Sequence, residues 1–91
     1  MTYTLLYHPG VLKEDLPKIS SDIKLRIKEV IETKLINDPE IHGKPLRQSL
    51  KGHRSLRVGD YRIIFRISAS TIIILRIGHR RDVYTRFLRI L

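Results

Sequence analysis

A chain of 91 residues with 42% hydrophobic residues can fold one domain around a modest core, which excludes a chain too polar to collapse. Its formal net charge of +9 points to an acidic partner: nucleic acid, an acidic protein or, least well supported, an anionic membrane surface. The absence of cysteine excludes disulfides and thiolate metal sites, and no run is long and apolar enough to span a bilayer.

Residues 1–91 are expected to form a single domain. Thr2 to Tyr7 reads as a first strand, and without a basic start it does not resemble a signal peptide, so a cytoplasmic location is expected. Pro9 suits the first turn of a helix, Leu12 and Leu16 fall one turn apart, and Pro17 blocks continuation. Ser20-Ser21-Asp22 offers N-caps ahead of Ile23, Ile27, Val30, Ile31 and Leu35, which recur at helical spacing. The two segments form a helical hairpin, ended by Asn37-Asp38-Pro39. Residues 40–45 read as a loop, and Arg47 to Lys51 as a short strand or turn.

Three strands follow. Arg54 to Arg66 alternates apolar and polar residues around Gly59-Asp60, which supplies the central pair of a two-residue hairpin. That turn sets Val58 against Tyr61, Leu56 against Ile63 and Arg57 against Arg62. A three-residue loop at Ser68-Ala69-Ser70 would keep the apolar faces together and set Ile63 against Leu75 and Arg62 against Arg76. Arg57, Arg62 and Arg76 would then form a row across three strands. Like charges directly opposite are destabilising, so the row makes sense where a polyanion comes to rest on it. The plainer alternative is a solvated face whose arginine stems shield the sheet. Asp82 reads as an N-cap, and Val83, Phe87 and Ile90 as the stripe of a C-terminal helix. The fold class is α+β: a small antiparallel-rich sheet in the order β-α-α-β-β-β, with the helical hairpin on one face and a short C-terminal helix. The opposite face is expected to stay open.

Parity adds His53 and Ser55 to the face of Arg57 and Arg62, and Arg80, Arg81 and Tyr84 follow the last strand. Guanidiniums match phosphate oxygens bidentately and stabilise added charge in phosphoryl transfer. Imidazole and phenol can exchange protons. Such a set suffices for RNA without a metal: the ribose 2′-hydroxyl loses its proton and attacks the adjacent phosphate, and the leaving 5′-oxygen gains one. A metal site is poorly supported, because there is no His-x-x-x-His pair and no tight carboxylate cluster. No cofactor is indicated. His8 and His42 read as surface residues, and Tyr61 as core.

Two motifs carry a family resemblance. The first is Lys44-Pro-Leu-Arg47 with Leu50-Lys-Gly-His-Arg54 and Leu56-Arg-Val-Gly-Asp-Tyr-Arg62; the second is Ile77-Gly-His-Arg-Arg-Asp-Val-Tyr84. Together with the order of elements they resemble the RelE/ParE toxin superfamily over nearly the whole chain, and its RelE-like branch in particular. The resemblance implies a toxin of a type II toxin–antitoxin pair, an endoribonuclease that cuts mRNA on the ribosome without metal. It implies phosphate-binding roles for Arg62 and Arg80, and proton transfer by Tyr84 or His53, with His79 in reserve. Lys51, Arg54, Arg57, Arg76 and Arg81 would grip RNA. The partners it implies are a cognate antitoxin, forming a hetero-oligomer, and the ribosome with its mRNA. ParE-like members, which poison DNA gyrase, and a non-catalytic RNA-binding module are the alternatives.

Overall fold

A computed structural model describes residues 2–46 and 52–89. Five strands form one sheet in the spatial order β1-β5-β4-β3-β2. They are β1 (Thr4–Tyr7), β2 (Lys44–Pro45), β3 (Arg54–Val58), β4 (Tyr61–Ser68) and β5 (Thr71–His79). Neighbours are antiparallel except β1, which runs parallel to β5. The architecture is α+β, as the order of elements predicts.

The helical hairpin is present with modified turns. Helix α1 covers residues 11–18, opening as a π-turn at Val11–Asp15 and tightening to 3₁₀ at Leu16–Lys18. Pro17 therefore does not stop the segment; it sits in the first turn of the 3₁₀ stretch, where its missing N–H costs nothing. Helix α2 runs from Ser21–Val30 into a π-turn at Ile31–Leu35, and its Ile27, Ile31 and Leu35 are buried. Ser20 occupies the cap position, but its backbone carbonyl, not its hydroxyl, bonds to Lys24 N–H at 2.9 Å. The expected loop at 40–45 instead holds a helical turn, α3 (Pro39–His42), and strand β2. Residues 47–51, where a strand or turn was expected, lie outside the described residues, as does Ile90. Helix α4 spans Val83–Leu88.

The α2 face of the sheet carries the main core. Leu56, Val58, Ile63, Phe65, Ile72, Ile74 and Ile77 close on Val11, Ile27, Ile31 and Leu35. Gly43 makes room for the Phe65 ring: a Cβ there would fall 2.2 Å from the ring tip. The opposite face is not left open. Val83 and Phe87 of α4 pack on Ile64 and form a second, smaller core.

The first hairpin has the predicted register, with Val58 facing Tyr61, Leu56 facing Ile63 and Arg57 facing Arg62. The second does not. Its loop has two residues, Ala69 and Ser70, between the paired Ser68 and Thr71, and Ala69 takes up a left-handed φ of 55°. An irregularity at Ile64/Phe65 leaves Leu75 as an extra residue on β5, so Ile63 faces Ile77 and Arg62 faces Gly78. The extra residue restores parity for the core: Ile72, Ile74 and Ile77 are all buried on the main core. It also removes Arg76 from the expected row.

Candidate active site

Where α4 leaves the second face uncovered, a cleft of about 530 Å³ remains. Its walls include Arg57 and Arg62 from β3 and β4, Ser55 from β3, Tyr84 from α4, and His42 and Lys44 from α3 and β2. Each element places its residue for a local reason. The Gly59-Asp60 turn forces Arg57 and Arg62 to face each other. Val83 and Phe87 seat α4 so that Tyr84 lies at its edge, and the Tyr84 hydroxyl shares a 3.0 Å hydrogen bond with Ser55 Oγ.

The electrostatics are one-sided. Arg57 is exposed, and among the described residues Arg62 donates to the Gly59 and Tyr61 carbonyls, at 3.1 and 3.0 Å. Arg80 follows β5 beside the same turn: its N–H donates to the Asp60 carbonyl at 2.8 Å, and its Nε lies 3.8 Å from the Asp60 carboxylate. That pair is exposed on both sides, so it holds Arg80 weakly. Arg62 and Arg80 each contact residues of the Gly59-Asp60 hairpin, although Arg80 is not part of the cleft wall. Arg81 is exposed beyond the strand end. Lys51 lies outside the described residues.

Other expected site residues are placed elsewhere. Arg76 is the main correction. It is 6% exposed, and its Nη1 bonds to Glu14 at 2.9 Å and Asp15 at 3.2 Å, so its guanidinium is occupied by carboxylates and turned away from the cleft. Gly10 lets that guanidinium lie close, since a Cβ there would come within 2.8 Å of it. Glu14 answers in kind: its hydrogen bond to Arg76, and then the charge of Arg76, hold its carboxyl below the usual value. Arg54 donates to the Glu40 and Gly43 carbonyls at 3.3 and 3.1 Å, which ties β3 to α3. His53 stands edge-on to Phe87 with ring centres 5.0 Å apart and lines a separate depression with Arg54 and Glu40. His79 packs edge-on against Tyr61, and its Nδ1 accepts the Arg81 N–H at 3.2 Å.

Sequence reasoning missed His42, which is half-buried on the cleft wall. The available signal was its place two residues before the Lys44-Pro45 motif, in a stretch taken for a loop. Among the described residues no group of acids and histidines could hold a metal. Nor is any described helix long and apolar enough to cross a membrane.

The family model described as ParE toxin of type II toxin–antitoxin system, parDE, matches residues 5–84. Toxin RelG of Mycobacterium tuberculosis is 38% identical over 88 residues, which cover 94% of this chain and 100% of the relative. The crystal structure of the toxin–antitoxin complex RelBE2 from Mycobacterium tuberculosis contains a chain that aligns with a TM-score of 0.82 at 35% identity, over 88% of this chain and 100% of that one. A mutant of Escherichia coli toxin RelE in the free state shares the fold, with a TM-score of 0.76 at 17% identity over 100% of this chain and 99% of that one.

Proposed function

This chain belongs to the RelE/ParE family of type II toxin–antitoxin toxins, in its RelE-like branch, and we propose that it is a ribosome-dependent mRNA endoribonuclease. The observation that carries this reading is the cleft, where two facing guanidiniums share a wall with a hydroxyl pair.

An RNA phosphate seated between Arg57 and Arg62 neutralises the like-charge repulsion that the empty sheet bears. Arg62 exchanges its carbonyl contacts for phosphate oxygens, and the charge-assisted bonds are the stronger. As the 2′-oxygen loses its proton and attacks, the extra negative charge on phosphorus falls where the guanidiniums point. The bond from phosphorus to the 5′-oxygen breaks, leaving a 2′,3′-cyclic phosphate and a 5′-hydroxyl. Tyr84 is the proton carrier the geometry favours over His53, and His42 supplies an imidazole on the cleft wall. Arg80, around the same turn, and Arg81 and Lys51 add charge for neighbouring phosphates.

The ribosome's part is orientation. A shallow cleft holds a flexible RNA poorly, and alignment alone supplies several kcal/mol of a barrier. A cognate antitoxin of acidic or amphipathic character suits the +9 surface.

Primer extension on cellular mRNA after induction of the chain alone tests the reading. Growth arrest with new 5′ ends inside translated messages is expected, and Arg62→Ala should remove both. Intact messages alongside arrested replication would instead support the protein-binding, gyrase-directed activity of ParE-like members. A supercoiling assay with purified protein identifies that outcome.

A further inference from the structure

The helix that carries Tyr84 is six residues long, too short to be stable by itself. Its contacts therefore set its roll angle on the sheet. Val83 and Phe87 against Ile64 fix its depth, but apolar contact is non-directional and resists rotation weakly. Direction comes from the flanks. Tyr84 and Arg86 are two positions apart, about 200° around the helix axis. Tyr84 reaches Ser55 on β3, and Arg86 reaches Asp15 on α1 through a direct ion pair.

Asp15 is a firm anchor. It is 1% exposed, its Oδ2 accepts the Ile77 N–H at 2.9 Å, and its Oδ1 also receives Arg76 at 3.2 Å. Gly78 leaves the path clear: a Cβ there would lie 3.3 Å from Arg86 Nη1 and 3.4 Å from Val83 Cβ. During cleavage the Tyr84 hydroxyl must turn from Ser55 to the reacting oxygen, so one flank releases its bond. The Arg86–Asp15 flank has no part in the chemistry and stays closed.

We infer that Asp15 and Arg86 are positioning residues for catalysis, whose ion pair sets the roll of α4 and hence the place of the Tyr84 hydroxyl over the cleft. This deepens the reading of Tyr84 as proton carrier and rests on it. Arg86→Gln is the variant of choice, because Asp15 keeps Arg76 and the Ile77 N–H and the fold survives. Fluorotyrosine at position 84 reports the ring's surroundings in free protein, independent of any RNA. The fluorine resonance should move in Arg86→Gln. The single-turnover cleavage rate on ribosomes should fall about tenfold to a hundredfold, with half-saturation unchanged. In a Tyr84→Phe background Arg86→Gln should cost nothing further, because the lost alignment has nothing left to align. An unmoved resonance, or the same fractional loss with Tyr84→Phe, would overturn the inference. If the wild-type protein cuts no RNA on ribosomes, the endoribonuclease reading fails, and the resonance still judges the clamp by itself.

Discussion

Two pairs of arginines, one anchored on β5 and α4 and the other on β3 and β4, are held in opposite ways. Arg76 and Arg86 converge on Asp15, with Glu14 alongside, and their charge is answered within the fold. Arg57 and Arg62 face each other across β3 and β4, and among the described residues the bonds of Arg62 go to backbone carbonyls. The side chains are chemically identical. What separates the two pairs is whether a buried carboxylate stands within reach. Here helix α1 carries both carboxylates to the edge of β5 that β1 leaves uncovered beyond Tyr7.

The contrast can be broken at either pair. Arg76→Ala removes the ion pair of Glu14 and one partner of Asp15, which keeps Arg86 and the Ile77 N–H, so the expected cost is about 1.5–3 kcal/mol. For a domain of this size that lowers Tm by about 10 °C, measurable by calorimetry. Arg62→Ala should shift stability by less than about 0.5 kcal/mol while cleavage falls about a hundredfold or more. Equal stability losses in the two variants would erase the distinction.

Gly43→Ala probes the frame around the cleft. The added methyl meets a fully buried Phe65 ring that cannot yield, and overpacking of this kind costs about 1–3 kcal/mol. Denaturant melts should show the loss. The cleft wall formed by His42 and Lys44 flanks this glycine, so cleavage should weaken with it.

The smallest effect is electrostatic. Glu14 has its folded pKa held below the unfolded value by Arg76. Its contribution is therefore present above the ordinary carboxyl pKa of the unfolded chain and is lost as pH falls through the lower folded value. Melting curves of wild type and Glu14→Gln should differ at neutral pH and converge in acid. A gap that widens on acidification would reverse the assignment.

How much of this was legible follows from the kind of signal each part leaves. Gly59-Asp60 fixed the first hairpin because turn chemistry is local. The second hairpin carries no glycine or asparagine, and Ile72-Ile-Ile-Leu75 is apolar throughout, so neither the loop length nor the extra residue leaves a period to read. One unread residue was enough to move Arg76 from the expected row to the acids of α1. The apolar stripe of α4 was legible, but not the face it covers, because Ile64 and Phe65 are both buried and either could have been its seat. The Glu14 and Asp15 pairings join residues more than sixty positions apart, and no local pattern encodes them. The Arg57, Arg62 and Tyr84 grouping survived because it depends on the legible turn and on one short helix.

The parallel pairing of β1 with β5 has a temporal side. Thr4 finds its hydrogen-bonded neighbour only at Thr71, and the cleft needs Tyr84 later still. While the chain is being synthesised, its first strand has no mate until Thr71 and the residues after it have been added. The cleft wall therefore cannot be complete on the ribosome until Tyr84 has been added.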